Sequence, residues 1–175
     1  MIYFIIFIIF IIFVALWIIS LLISAVFGAP TVYAKNEIII QALNLAKPQK
    51  NQTMLDLGCG NARSLIIGAK YFDLKGIGIE ISPFYYLLAR LNVLLHGQSK
   101  SIKIYYGNLL NKKELISQAD IVYLYLLENV LNNLEKFIFE SIKSDAKIVT
   151  LSFPFTKHSP ITTSQKPRIY IYSKD

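Results

Sequence analysis

The apolar positions of the chain follow two different patterns, and the first is a long uninterrupted run. Between Ile2 and Phe27 the only polar side chains are Ser20 and Ser24. A helix of this length is roughly 39 Å long at ~1.5 Å per residue, and the hydrocarbon core of a bilayer is ~30 Å thick. The pattern therefore predicts one transmembrane helix that crosses the bilayer with some tilt.

A secretory signal is the alternative interpretation of this run, because the stretch from Ala25 to Ala29 at its end is rich in small residues. No basic residue precedes the run, however, and it is longer than the ~7 to 15 residues typical of a signal's apolar region. We therefore favour a membrane anchor.

After the anchor, strand-like and helix-like spacings of apolar residues alternate along the chain. Pro48 ends the first helical pattern, and Ser82 followed by Pro83 is typical of a helix start. Strands are predicted at residues 53–57, 75–80, 102–106, 120–126, 146–153 and 168–172, and helices at 38–46, 62–71, 83–96 and 131–142. A Pro-, Ser- and Thr-rich loop is predicted before the last strand.

This alternation indicates the α/β class, with a Rossmann-like, doubly wound and mostly parallel sheet covered by helices on both faces. The predicted organisation is a transmembrane anchor at 1–28, a linker and helix at 29–52, and one α/β domain at 53–175.

Charge adds an expectation about location. Residues 1–34 contain no Asp, Glu, Lys or Arg, and Lys35, Lys47 and Lys50 follow the apolar run. Basic residues flank the cytoplasmic side of a span, so we expect a single-pass membrane protein with a cytoplasmic domain. The net charge of +7 is scattered, which suits an anionic membrane surface, and we expect no nucleic-acid partner. A single cysteine fits a reducing compartment.

A glycine turn follows the first predicted strand, in the stretch LDLGCGNAR. Open α/β sheets bind ligands at the carboxyl ends of their strands. A dinucleotide site would need a third glycine where this chain has Arg63, which weakens that interpretation. S-adenosylmethionine is the other ligand with this geometry, since its amino-acid end needs a close backbone and an acceptor for its ammonium group. Asp56 and the amides near Gly58 and Gly60 provide both.

The ends of the next two strands complete the predicted site. Glu80 lies 24 residues after Asp56 and could accept bonds from both ribose hydroxyls, and Asn108 could bond the adenine edge. The alternative is that Asp56 and Glu80 only cap helix N-termini. The predicted cofactor-binding residues are Asp56, Gly58, Cys59, Gly60, Asn61, Glu80, Ile81, Asn108 and Leu109.

With these motifs in place, the sequence resembles the small membrane-anchored class I (seven-strand) protein-lysine methyltransferases. This family includes enzymes that act on the ATP synthase c subunit and the adenine nucleotide translocase, and archaeal relatives of broad lysine specificity. The similarity covers nearly the whole chain, through the anchor and GAPTV, LDLGCGNARSLI, GIGIEISPFYYLLAR, YYGNLL, ADIVYLYLLENVLNNLEKFI and KIVTLSFPF. The resemblance implies methyl transfer from S-adenosylmethionine to a lysine ε-amine of a protein, expected to be a membrane protein.

The chain departs from the family pattern at two places. Family members usually carry Asp-Gly where this chain has Asn61-Ala62, and commonly Asp where it has Asn108. Alanine has no easy access to positive φ, so we expect the turn to close without Ala62 in that conformation. These departures leave a non-catalytic binding module as one alternative, and a small-molecule or lipid methyltransferase as another.

Methyl transfer to an amine needs positioning and deprotonation of a lysine whose free pKa is ~10.4. The candidates follow the fourth strand: Glu128 to orient the ammonium, Asn129 to offer a carbonyl, and Tyr125 to form an aromatic wall. The alternative for Glu128 is a solvated residue in a first helical turn. No metal is expected, because His96 and His158 have no ligand partners at metal-binding spacing.

Overall fold

A computed structural model describes residues 1–26 and 33–174. The predicted exit from the membrane at Gly28 to Pro30 lies outside the described residues, as does Phe27, the last residue of the apolar run.

The described part contains six α-helices. The first is long and apolar, and its large side chains are exposed over most of its length, so Ile2–Ser20 is long and apolar enough to cross a membrane. The helices are α1 (Ile2–Val26), α2 (Asn36–Ala46), α3 (Arg63–Phe72), α4 (Pro83–Leu95), α5 (Lys113–Gln118) and α6 (Glu128–Ser141), with a 3-10 turn at Leu109–Asn111.

Seven strands form one mixed sheet in the order β3-β2-β1-β4-β5-β7-β6. The first five strands are parallel, and β7 runs antiparallel to both β5 and β6. The strands are β1 (Thr53–Leu57), β2 (Lys75–Glu80), β3 (Ile102–Tyr106), β4 (Ile121–Leu124), β5 (Lys147–Leu151), β6 (Thr162–Gln165) and β7 (Arg168–Ser173). The order reverses between β1 and β4, which places a ligand crevice at their carboxyl ends.

Alternate residues of each strand face opposite sides of the sheet, because the side-chain period of a strand is two. Along β4, Ile121 and Tyr123 belong to the core beneath α2 and α3, and Val122 and Leu124 belong to the core beneath α5 and α6. Both faces are therefore covered, as the alternating pattern predicted, and the predicted fold class is confirmed.

Two elements differ from the sequence prediction. Residues 162–165 form β6 instead of loop, and residues 113–118 form the short helix α5. Strand β6 is mostly exposed and lacks an alternating apolar pattern, because it is a sheet edge that exists through its pairing with β7. Helix α5 buries a single residue, Ile116, so its sequence carries almost no periodic signal.

Candidate active site

A cavity of about 320 Å³ opens at the carboxyl ends of β1, β2 and β4, where the strand order reverses. This volume lies within the range of small-molecule sites. One wall is formed by the turn after β1 and by the ends of β2 and β3. The rest of the lining consists of tyrosines and aliphatic side chains from the segment before α2, from β4 and the residues after it, and from α6. The lining residues that the sequence prediction did not include are Tyr33, Ala34, Ile39, Arg63, Ser64, Ile79, Gly107, Leu110, Tyr123, Leu126, Val130, Asn133 and Leu134.

The turn after β1 brings backbone amides close to the cavity. Gly58 has φ +84°, and a Cβ atom there would lie 3.3 Å from Leu126 Cδ2. Its N–H and that of Cys59 both donate to Ile79 O, at 2.9 and 3.1 Å, which ties the turn to β2. Position 78 also requires a glycine, because an added Cβ would lie 2.7 Å from Cys59 Sγ. The turn therefore sits directly on β2.

Glu80 fastens the same turn from the end of β2. The N–H of Gly60 donates to its Oε2 at 2.8 Å and the N–H of Ser82 donates to its Oε1 at 2.9 Å. The side chain is buried, and burial raises the pKa of the carboxyl while these backbone bonds partly offset the shift. Each oxygen keeps a further lone pair, so the carboxylate can still accept a bond from a ligand.

Asp56 lies on the floor of the cavity and is also buried. Burial raises the pKa of its carboxyl to about 7, with a further increase from Glu80, although the hydroxyl of Ser64 donates to Oδ2 and opposes the shift. A cationic group beside Asp56 would stabilise the carboxylate, so this position favours a ligand with an ammonium group.

Tyr123 is the cross-strand neighbour of Asp56, and only 2% of it is exposed. Among the residues that the structure describes, no group bonds its buried hydroxyl. Burial raises its pKa well above the ordinary value, so the phenol stays protonated and can donate. An unpartnered buried hydroxyl is costly unless a ligand or water satisfies it, and Tyr123 faces the cavity.

The structure brings all nine predicted cofactor-binding residues to the cavity: Asp56, Gly58, Cys59, Gly60, Asn61, Glu80, Ile81, Asn108 and Leu109. Of the predicted acceptor-side residues, Tyr125 lines it as well. Glu128 and Asn129 are exposed in the first turn of α6 and do not line the cavity in the described part of the chain.

One expectation about the turn is wrong. Ala62 does adopt a left-handed conformation, with φ +62° and ψ +20°. The residue is buried, its N–H donates to Cys59 O at 2.8 Å, and its carbonyl accepts from Ile66 N at 3.0 Å. These bonds and the surrounding packing hold alanine in a conformation that costs roughly 1–2 kcal/mol.

Asn108 caps the 3-10 turn after β3. Its Oδ1 accepts from Leu110 N at 2.9 Å, which leaves the amide NH₂ as the group available to a ligand. An aspartate could make the same cap but would offer only an acceptor.

For some of the lining residues that the sequence analysis missed, the spacing along the chain did indicate a position at the cavity. Tyr123 precedes Tyr125 by two positions in the strand predicted at 120–126, a spacing that predicts one shared face. Asn133 follows Val130 by three positions on α6, at helical spacing. Tyr33 and Arg63 carry no such signal. They meet through the fold, with the Arg63 guanidinium 5.8 Å from the Tyr33 ring centre.

These residues fit S-adenosylmethionine. The buried Asp56 carboxyl suits its ammonium group, Glu80 suits the ribose hydroxyls and Tyr123 offers an unused donor. The N–H groups of Gly58, Cys59 and Gly60 bond within the protein, so the turn offers a ligand close approach to glycine backbone and not these donors. The sheet order and this site define a class I S-adenosylmethionine-dependent methyltransferase, which confirms the predicted enzyme class and cofactor.

Comparison with known proteins agrees. A family model described as the ANTKMT methyltransferase domain matches residues 56–162, and the chain belongs to this family. The resemblance indicated by the sequence motifs is thereby confirmed.

Individual similar proteins are also methyltransferases by name. A protein-lysine N-methyltransferase of Saccharolobus islandicus (strain REY15A) is 29% identical over 132 residues, covering 75% of this chain and 81% of the relative. The Homo sapiens lysine N-methyltransferase of the ATP synthase c subunit is 27% identical over 108 residues, covering 62% of this chain and 45% of the relative. An RNA methyltransferase of Salinibacter ruber, solved with S-adenosyl-L-homocysteine, has a TM-score of 0.77 and 28% identity, covering 81% of this chain and 93% of that one.

Proposed function

We propose that the protein transfers a methyl group from S-adenosylmethionine to a lysine ε-amine of a protein substrate that lies at or in the membrane. The observation that carries this proposal is the composition of the cavity. Besides the residues that fit the cofactor, its lining contains Tyr33 and Tyr125 with aliphatic neighbours. Aromatic faces and apolar surface suit a long alkyl chain that ends in an amine.

The chemistry requires little acid–base machinery from the protein. S-adenosylmethionine supplies an electrophilic methyl carbon on a sulfonium when it is bound. The chain's residues must hold the acceptor nitrogen in line and favour its neutral form. Apolar side chains such as Ile39, Leu126 and Leu134 disfavour a charged amine by desolvation, which lowers a lysine pKa. Tyr125 then orients the amine from the wall.

Glu128 and Asn129 take a different role in this proposal. Their neighbours Leu126 and Val130 line the cavity, so the two exposed residues lie close to its opening. There they are positioned to contact the polypeptide around the acceptor lysine. Glu128→Gln is therefore expected to raise the KM for the protein substrate while kcat and cofactor affinity stay nearly constant. An unchanged KM would assign Glu128 to the solvated surface.

The relation between the anchor and the cavity supports an acceptor at the membrane. Aromatic rings connect α1 with the cavity: Phe13 contacts Phe84 at 5.6 Å between ring centres, Phe84 contacts Tyr85 at 5.4 Å, and Tyr85 contacts Tyr33 at 6.5 Å. Tyr33 lines the cavity. Tyr33 and Tyr85 are of the residue type that concentrates at the level of the lipid headgroups. An acceptor lysine close to the bilayer surface would thus lie near the cavity.

The test is methyl transfer from radiolabelled S-adenosylmethionine to a membrane fraction, with separate counting of protein, lipid and RNA. RNA is included because one structural relative is named an RNA methyltransferase. We expect label in one or a few protein bands and methyl-lysine in those bands by mass spectrometry. The Asp56→Asn variant, which lacks the carboxylate expected to contact the cofactor's ammonium group, is the control and should transfer much less label.

The other outcomes separate the alternatives. Label confined to lipid, RNA or small molecules would overturn the lysine assignment while keeping the enzyme class. Tight cofactor binding by calorimetry, with no label in any fraction, would indicate a binding module. Label in soluble proteins alone would reject the membrane acceptor.

A further inference from the structure

Helix α4 presents an unusual apolar face to its surroundings. Leu87 and Leu91 are each 50% exposed, Leu94 is 64% exposed and Leu95 is 71% exposed. Their spacing of four, three and one residues places them on one side of the helix, whereas Ala89 and Val93 pack toward the sheet. Single exposed leucines are ordinary, but four on one face form an apolar patch that needs an explanation.

The same helix begins against the apolar helix α1. The Ser82 hydroxyl donates to Ser20 Oγ at 2.8 Å, and the N–H of Phe84 donates to the same oxygen at 3.2 Å. Phe84 also packs edge-on against Phe13 of α1. Phe84 lies three positions before Leu87, so the exposed leucine stripe starts where the predicted membrane span touches the domain.

Charge in this region has one sign. Between Glu80 and Glu114 the sequence contains no acidic residue, whereas it contains Arg90, Lys100, Lys103 and two further lysines. Arg90 is the only charged residue of α4, and it lines a groove with Lys103 beside three of the leucines. Apolar side chains flanked by basic residues characterise helices that lie in the interface of an anionic membrane.

We propose that α4 is an interfacial membrane helix whose leucine face (Leu87, Leu91, Leu94 and Leu95) contacts the anionic leaflet beside α1. The proposal rests on the membrane anchor of the proposed function and adds a second attachment, which fixes the orientation of the domain. Helix α4 is joined to the cofactor turn, because Asn92 Nδ2 donates to Asn61 O at 3.1 Å. The cavity is consequently held at a constant height above the lipid, where a lysine at the end of a membrane helix can reach it.

The test measures the depth of single side chains in proteoliposomes. Full-length Leu91→Cys and Leu94→Cys variants carry an environment-sensitive fluorophore in vesicles of phosphatidylcholine and phosphatidylglycerol, with or without brominated lipid. The natural Cys59 is buried, and its background labelling is read from the wild type. Ile161→Cys is the matched control, since Ile161 is 58% exposed and adjoins β6 at the opposite edge of the sheet.

We expect the probes at 91 and 94 to shift to the blue, to lose at least about half of their emission to brominated lipid, and to resist iodide. The probe at 161 should behave in the opposite way. Water-like emission and iodide quenching at 91 and 94 would overturn the proposal. A blue shift without quenching by brominated lipid would also overturn it, because the face would then be covered by protein, such as a second copy.

A fourth probe at Ile11→Cys, within α1, separates this proposal from the anchor. Quenching at 11 without quenching at 91 and 94 rejects the interfacial helix and keeps the anchor, whereas no quenching at 11 rejects the anchor itself. Calorimetric binding of S-adenosylmethionine verifies that each labelled variant is folded. A variant that fails this check is replaced by Leu87→Cys or Leu95→Cys.

Discussion

Asp56 shows how burial can prepare a carboxyl group for a cationic ligand. In the folded protein its pKa is about 7, against an ordinary value of 3.8, mainly because it is buried. A raised carboxyl pKa stabilises the folded state while the group is protonated. That contribution is fully present below about pH 3.8 and is lost as the pH rises through about 7. The ionised group is the costly form in the folded protein unless a cation is bound beside it.

Cofactor affinity should therefore depend on pH. A bound ammonium group lowers the pKa of Asp56, so binding below pH 7 must release a proton. We expect affinity to fall by up to ~10-fold for each pH unit below 7, and calorimetry at pH 6 in two buffers of different ionisation enthalpy should detect the proton. Asp56→Asn should remove this slope. Persistence of the slope in that variant would assign it to Glu80, whose pKa is also raised by burial.

Tyr123 provides a second test at the level of one atom. Its hydroxyl has no partner among the described residues, so Tyr123→Phe breaks no bond within that part of the protein. We expect an unchanged or slightly higher Tm and about 5- to 10-fold weaker cofactor binding or slower transfer. This factor corresponds to the loss of one hydrogen bond that contributes ~1 to 1.5 kcal/mol. Thermal unfolding and calorimetry on the same samples measure both quantities.

Tyr172→Phe is the matched control for this test. Its hydroxyl accepts from Phe155 N at 2.8 Å, away from the cavity lining. The control should lower Tm and leave affinity nearly unchanged. If Tyr123→Phe instead behaves like this control, Tyr123 is a structural residue.

At the scale of elements, Glu80 joins the β1 turn to the start of α4. A glutamine has one oxygen and one NH₂ group, so it can accept from only one of the two backbone N–H groups that Glu80 satisfies. Glu80→Gln should lower the free energy of unfolding by ~1 to 3 kcal/mol and weaken S-adenosylmethionine binding at least ~10-fold. The exposed Glu140→Gln is the control and should alter neither. Full affinity in the Glu80 variant would remove Glu80 from the cofactor site.

A third buried carboxylate, Glu135 on α6, holds the loop between β5 and β6. It accepts from the N–H of Lys157 at 2.8 Å, from the N–H and hydroxyl of Thr156 at 3.2 and 3.0 Å, and pairs with His158 Nδ1 at 2.8 Å. The His158 ring stacks on Phe139 with 3.5 Å between ring centres. Helix α6 and the loop are thus fixed to each other at one point.

Glu135→Gln should cost ~1.5 to 3 kcal/mol of unfolding free energy at pH 7. Burial alone would raise the pKa of Glu135, but the bonds from His158, Lys157 and Thr156 outweigh burial and lower it. A depressed carboxyl pKa contributes stability above the ordinary value of 4.5, and this stability is lost as pH falls through the folded-state pKa. Thermal unfolding in detergent at pH 7 and pH 4 should show a smaller difference between variant and wild type at pH 4. An equal difference at both values would contradict the assignment.

For the whole molecule, the prediction concerns membrane topology. We predict an anchor with the domain in the cytoplasm, because an uncharged apolar sequence is followed by lysines. The protein should resist carbonate extraction, and protease added to intact cells should leave residues 36–175 uncut. Digestion of the domain in intact cells would reverse the orientation. A soluble form that begins near Gly28 would instead identify a signal peptide.

The sequence alone determined the helices and strands with strong periodicity, the class of fold and the cavity residues at the strand ends. These are local properties: a period of two or 3.6 residues, a glycine turn, and an acidic residue at the end of the following strand. Parallel strands bring their carboxyl ends to one edge of the sheet, so spacing along the chain was sufficient to predict that Asp56, Glu80 and Asn108 share a site.

The tertiary structure decided what depends on distant partners. Strand β6 exists because β7 pairs with it, and Ala62 adopts positive φ because packing and two backbone bonds compensate for the strain. The orientation of α6 exposes Glu128, whereas Tyr123 on β4 faces the cavity. Helix and strand periodicity could not predict which of these two residues lines the cavity. The apolar pattern of α4 looks like core until the sheet is assembled. Only then do its leucines remain exposed beside α1, because the sheet covers one face of the helix and not the other.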